Sequence, residues 1–333
     1  MIPFIQRKNY NRIKFIKYLS NAEKTNQWSN YSASVQLLEK RARTLLEISD
    51  DKAIIATCSG TAALHALVFG IRRYNEKDLR ITTQDFNFPS ASLGPCTGPI
   101  VVDFDTELNM QMGDSYLVDY GDIIIATNCF GHLQNLNYLL DQIKKYDKIL
   151  IFDNAATPYS FYNNTNSCNL GLGSCISLHH TKPLGFGEGG LVIVNKEYEE
   201  VTRQAVNFGF TKNEFNERSS NFKMSELAAA GILQWWDQVD LQAMMEKYQN
   251  NYYQLKYKLT THSNGYSFPN YAEDKWFPFC MPWIHEEATS INQAYIKDRV
   301  VKKYYKPLRG FPNSTLIYNN ILCYPIHEGL DAN

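Results

Sequence analysis

Short apolar runs of strand length alternate with longer stretches of helical period along this chain, and that alternation restricts the fold more than any other feature. The runs are Ala53–Thr57, Ile100–Phe104, Ile123–Thr127, Ile149–Phe152, Cys175–Leu178 and Leu191–Val194, and they read as buried strands. Between them Ala62–Ile71, Gln134–Lys145 and Glu197–Asn207 read as helices. Strand and helix in this order imply an α/β fold with a mainly parallel central sheet flanked by helices. Ligands of such sheets sit at the carboxyl ends of the strands.

The chain of 333 residues is long enough for one large or two medium domains. From Met224 to about Tyr257 the pattern is long and helical, and after Pro269 it turns irregular, with prolines at 278, 282, 307, 312 and 325. A junction near 235–245 divides the chain into a large α/β domain, 1–238, and a smaller C-terminal α+β domain, 239–333. The N-terminal residues, 1–20, are placed against the smaller one. The patch Asn163–Asn169 reads as a polar loop.

A net charge of -1 gives no general attraction to nucleic acid or an anionic membrane. Twenty-two tyrosines and five tryptophans suit an interface or a sugar-binding wall, and composition does not choose between them. The seven cysteines include no C-x-x-C pair, which speaks against a zinc site or disulfide framework and for a reducing, cytoplasmic setting. The N-terminus lacks a signal-peptide apolar segment, and no stretch of about 18 apolar residues suggests a membrane span.

Lys182 is the most telling single residue. It follows an apolar run, Cys175–Leu178, and precedes a glycine-rich turn ending in Glu188-Gly189-Gly190 and a second apolar run. A lysine on an exposed turn is the ordinary case. One held away from water loses part of its affinity for a proton and becomes a nucleophile fit to form a Schiff base with an aldehyde cofactor. Ser177 is placed to enter the same pocket. Cys58-Ser59-Gly60-Thr61-Ala62 lies between a strand and a helix, where backbone N–H groups suit a phosphate; a Ser-Gly-Thr cap also simply starts helices. Asp153 ends a strand, where a carboxylate can hold a pyridinium nitrogen protonated; aspartate also favours turns. Phe88 is either a ring for stacking on a flat cofactor or a core residue. Asp103-Phe104-Asp105 reads as a strand end rather than a metal site, and His179 and His180, being adjacent, point to opposite faces.

Together these segments resemble the DegT/DnrJ/EryC1/StrS family of sugar aminotransferases, fold-type I enzymes that use pyridoxal phosphate (PLP). The family's S-G-T-A-A-L segment matches Ser59–Leu64. Its P-x-x-T-F-x-A-T segment appears in altered form at Gln84–Ala91 and puts Phe88 at the ring-stacking position. Its D-A-A-Q segment matches Asp153–Ala156 in part, and its S-F-x-x-T-K…G-E-G-G block matches Ser177–Gly190 closely. Its N-Y-R-M-S-E-x-x-A-A segment matches Asn221–Ala230, and the likeness reappears at Leu322–His327.

The resemblance implies that Lys182 joins PLP through a Schiff base and then moves the proton, with pyridoxamine phosphate as intermediate. It implies that Asp153 pairs with the ring nitrogen, and that Gly60, Thr61 and Ser177 bind the phosphate. Asn221 is expected to reach the cofactor of a neighbouring subunit, making the working unit a homodimer with shared active sites. The implied substrates are glutamate as amino donor and a nucleotide-linked keto sugar, aminated at C4 of a 4-keto-6-deoxy sugar. The alternatives are a non-catalytic PLP-binding or regulatory protein, a C3 aminotransferase, or a dehydratase of the same family, although dehydratases replace the lysine.

Three departures stand out. Ala156 occupies the place of a Gln or His that contacts the cofactor's phenolic oxygen, with Thr157 or a water as candidate substitutes. Lys223 replaces an arginine. The chain is shortened between Asn109 and Gly121 and in the C-terminal part.

Overall fold

The computed structural model describes all residues except 108, 113–119, 212–213, 273–274, 295, 297 and 328–333. The shortening expected between Asn109 and Gly121 therefore falls largely outside the described residues. Two helices open the chain, α1 (Arg12–Thr25) and α2 (Ala33–Leu45), neither of which the apolar pattern announced. There follow β1 (Lys52–Thr57), α3 (Gly60–Tyr74), β2 (Ile81–Gln84), β3 (Ile100–Val102), β4 (Ile123–Thr127), α4 (Leu136–Lys145) and β5 (Ile149–Asp153). A hairpin of β6 (Phe161–Tyr162) and β7 (Thr165–Asn166) leads to β8 (Gly173–Ser177), β9 (Gly190–Asn195) and α5 (Glu199–Val206).

The large sheet has seven strands in the order β1-β9-β8-β5-β4-β2-β3. Its pairings are parallel except at β9, which runs antiparallel to both β1 and β8. The carboxyl ends of β1, β2, β4, β5 and β8 thus share one edge. Successive residues point to opposite faces: Ile54 and Ile193 join the apolar cluster under α2 and α6, whereas Ile55 and Val192 join the one under α3. Helices on both faces explain why these strands read as unbroken apolar runs.

One strand was illegible. The β2 sequence Ile81-Thr82-Thr83-Gln84 is fully buried but mostly polar. Its side chains are satisfied internally: Thr83 Oγ1 donates to Ile125 O at 3.1 Å, Thr82 Oγ1 accepts from Gly121 N at 2.8 Å, and Gln84 Oε1 accepts from Thr127 N at 3.0 Å. Hydrogen bonding removes the penalty that excludes such residues from a core. The patch Asn163–Asn169 is also more ordered than a polar loop. Asn163 and Asn164 adopt positive φ of 49° and 59°, the conformation a tight hairpin turn needs, and Asn166, Ser167 and Cys168 are buried.

The long helical stretch after Met224 is two helices, α6 (Glu226–Trp236) and α7 (Leu241–His262). Asp240 stops continuity by capping α7, accepting from Ala243 N at 3.1 Å. At the start of α6, the fully buried Glu226 carboxylate accepts from Ser34 N and Val35 N, so it caps α2 where Ser32 makes no side-chain cap. A second, antiparallel sheet holds β10 (Gly265–Tyr266), β11 (Met281–His285) and β12 (Ile321–Tyr324), with α8 (Pro312–Asn320) preceding β12. One apolar cluster runs from Ile54 and Ile193 through Leu233 and Tyr252 to Trp283 and Leu322. Among the described residues, no helix is long and apolar enough to cross a membrane.

Candidate active site

The shared carboxyl edge of the large sheet floors a cavity of about 440 Å³. Of the residues singled out in the sequence, Gly60, Thr61, Phe88, Asp153, Ser177 and Lys182 all line it. They arrive from the ends of four strands, β1, β2, β5 and β8, or from the turns after them, so the parallel sheet itself gathers them.

Asp153 is the last residue of β5, held between Thr127 of β4 and Cys175 of β8. It is 2% exposed. One carboxylate oxygen accepts from Ala155 N at 3.0 Å and from the Cys175 thiol at 3.4 Å. Burial raises its pKa against the opposing pull of Ala155 N–H, Cys175 and Lys182. It has no hydrogen-bonded cation among the described residues, so the site favours a positively charged N–H brought in beside it.

Lys182 lies in the turn between β8 and β9. Its ammonium stands 4.4 Å from the Phe279 ring centroid and makes no ion pair or hydrogen bond among the described residues. Burial lowers its pKa, and Asp153 opposes the shift. The neutral amine is therefore more available than on an exposed lysine.

A corner suited to an anion is built from the β1–α3 turn. Ser59 caps α3, its hydroxyl accepting from Ala62 N at 3.1 Å. Gly60 and Thr61 follow, at the helix positions whose amides have no intrahelical partner. Ser177 closes the corner from the end of β8. A Cβ on Gly60 would stand 2.7 Å from Ser177 Cβ, and one on Gly190 would stand 2.2 Å from Ser59 O. Both positions bring turn and sheet closer than a side chain permits. Gly60→Ala is expected to destabilise the protein by about 1–3 kcal/mol through overpacking, read as a lowered midpoint in denaturant unfolding.

Phe88 follows β2 and is 55% exposed, forming a wall of the cavity rather than part of the core. Asn221 does not line the cavity of its own chain; it is exposed and bridges Asn207. Nearby, Lys223 Nζ donates to Asn207 Oδ1 at 2.7 Å and lies over the Phe208 ring. Ala156 lines the cavity with no donor to offer. Thr157 does not take its place: its hydroxyl donates to Asn128 O at 2.8 Å, accepts from Gly131 N at 3.2 Å, and faces away from the cavity lining.

Several lining residues escaped the sequence. Asn128 follows β4 as Asp153 ends β5, so the strand-end rule would have found it. His179 also lines the cavity, its Nε2 3.4 Å from Glu188, while the His180 ring packs edge-on against Phe186; both lie in the turn after β8 rather than on a strand. Phe279, Tyr304 and Tyr305 come from the irregular C-terminal part and carried no signal. Phe279 N donates to Phe130 O at 2.8 Å, and the segment after the two tyrosines is held by aspartates. Asp85, fully buried, accepts from the backbone amides of Arg309, Gly310 and Phe311 at 2.5, 3.1 and 2.7 Å. Asp103 caps α8 through Asn313 N and Ser314 N, both at 3.0 Å. Tyr305 stacks on Phe130 at 5.3 Å, and burial holds its phenol well above its ordinary pKa, so it stays a donor.

With this geometry in hand, a model of the DegT/DnrJ/EryC1/StrS aminotransferase family matches residues 10–333. The fold is shared with solved structures of low sequence identity. A putative PLP-dependent aminotransferase from Bacillus cereus ATCC 10987 is 21% identical, with a TM-score of 0.80 over 99% of this chain and 96% of that one. Helicobacter pylori PseC, an aminotransferase of pseudoaminic acid biosynthesis, is 16% identical, with a TM-score of 0.80 over 99% and 95%. DesI, solved in the presence of its TDP-sugar product, is 18% identical, with a TM-score of 0.79 over 97% and 87%.

Proposed function

The chain belongs to the DegT/DnrJ/EryC1/StrS family of PLP-dependent aminotransferases, and we propose from that premise that it moves the amino group of glutamate to a nucleotide-linked keto sugar, at C4 of a 4-keto-6-deoxy sugar. The observation that carries this reading is the convergence on one cavity of a desolvated lysine, a buried carboxylate with no hydrogen-bonded cation among the described residues and a helix N-terminus beside a serine hydroxyl.

These residues fit the cofactor. Asp153 offers a buried negative charge to a ring N–H, the α3 amides and Ser177 suit a phosphate dianion, and burial eases loss of the Lys182 proton, which attack on an aldehyde requires. When bound, the cofactor supplies the carbonyl that takes the amino group and the ring that withdraws electrons from the substrate carbon. Lys182 then holds and returns the proton at the reacting carbon through Nζ. Asp153 keeps the ring nitrogen charged, and Phe88 orients the ring by stacking. Asn221, exposed and outside its own cavity, is free to serve a second copy's site, which makes the working unit a homodimer. A reducing, cytoplasmic setting suits the seven free cysteines.

Incubation of the PLP-loaded protein with glutamate is expected to shift the cofactor spectrum and release 2-oxoglutarate. Nucleotide-linked keto sugars should then restore the spectrum, with the aminated carbon identified by mass and NMR. A protein that binds PLP and gives no shift would be the non-catalytic reading, which the missing donor at Ala156 favours. Amination at C3 would move the assignment to that branch of the family, and elimination of water without amination to the dehydratases.

A further inference from the structure

Lys8 has no part in the roles above, yet it touches the turn that matters most. It lies in the N-terminal arm before α1 and is 9% exposed. Its ammonium meets no carboxylate among the described residues; instead it donates to three backbone carbonyls, those of His180 at 2.8 Å, Lys182 and Gly185. The Trp235 ring lies 5.5 Å from the same nitrogen. Two further carbonyls of the turn are taken from α6, Pro183 O by Trp235 Nε1 at 3.0 Å and Leu184 O by Trp236 Nε1 at 2.8 Å.

Lysine is the side chain that presents three donors from one atom. A buried cation is tolerable only where every donor finds an acceptor, and here all three acceptors belong to the segment from His180 to Gly185. The arm reaches the cavity's aromatic wall as well, since Phe4 packs edge-on against Phe279 at 6.1 Å and Tyr304 at 5.9 Å.

We propose that Lys8 is a positioning residue for Lys182: its ammonium pins the backbone of the turn and so fixes where the Lys182 amine stands relative to Asp153 and the cavity. The inference rests on Lys182 being the cofactor-bearing lysine. Removing the pin takes one donor from each of three carbonyls, of which Lys182 O keeps Gly185 N at 3.0 Å, and lets the turn shift; small displacements of a reacting group are costly.

A double-mutant cycle separates this role from general support of the fold. PLP affinity is measured by equilibrium dialysis for wild type, Lys8→Met, Lys182→Ala and the double variant, with the rate of borohydride-trappable attachment in the two proteins that keep Lys182. Lys8→Met is expected to weaken PLP binding by about tenfold and to slow attachment when Lys182 is present. In the Lys182→Ala background the same change should alter affinity by less than about twofold. Equal losses in both backgrounds, or none in either, overturn the proposal. If Lys8→Met does not fold, Lys8→Gln, which keeps two donors, is put through the same cycle with the same criteria. A wild-type protein with no trappable pyridoxyl group on Lys182 instead sinks the reading of the site itself.

Discussion

Lys182→Ala is expected to give a folded protein that binds PLP without covalent attachment and has no measurable transamination. The loss should exceed about 10²–10⁴-fold, the contribution of one positioned acid–base group, because the covalent link goes as well. Borohydride treatment followed by peptide mapping should label position 182 in the wild type and nothing in the variant. The α3 corner, Phe88 and Asp153 do not depend on the lysine, so the phosphate and ring should still be held. Undiminished turnover in this variant would remove Lys182 from the mechanism.

Asp153→Asn is expected to lower turnover by about 10²–10³-fold, the usual effect of deleting one preorganised charge at a reacting centre. An amide cannot hold the ring nitrogen in its charged form. The variant should fold, and its cofactor-free form should be more stable than the wild type at neutral pH. The sign follows from burial, which raises the Asp153 pKa in the folded state. The folded protein then binds this proton more tightly than the unfolded chain does. Stability is lost as pH rises from the unfolded-state pKa through the raised folded value, and stays lost above it. Asparagine does not titrate and escapes that loss. Thermal unfolding of the cofactor-free proteins, compared at acid and neutral pH, reads it out. A wild-type rate, or a variant less stable at neutral pH, would contradict the assignment.

Much of the site was legible because its residues follow apolar runs. Asp153 ends Ile149–Phe152, Gly60 and Thr61 follow Ala53–Thr57, and Ser177 lies within the run before Lys182. Where a run was clear, the strand-end rule delivered the residue. Where polar side chains built the strand, as in Thr82, Thr83 and Gln84, the strand vanished from view, because its internal hydrogen bonds are a tertiary property. The segment bearing Tyr304 and Tyr305 was unreadable for a related reason. Its place is set by Asp85 and Asp103, more than two hundred residues earlier in the chain.

What the sequence determined by itself was the sheet apart from β2, the edge of it that would bind, and the family to which the lysine turn belongs, because period, strand length and local motif are properties of neighbouring residues. Only the tertiary structure decided how the cavity is closed and held. The aromatic wall of Phe279, Tyr304 and Tyr305, the turning away of Thr157 and the grip of Lys8 on the turn around Lys182 each join residues far apart in the chain. Such contacts leave no trace in local composition, since a buried lysine and an exposed one are the same letter until the fold sets the distance to water.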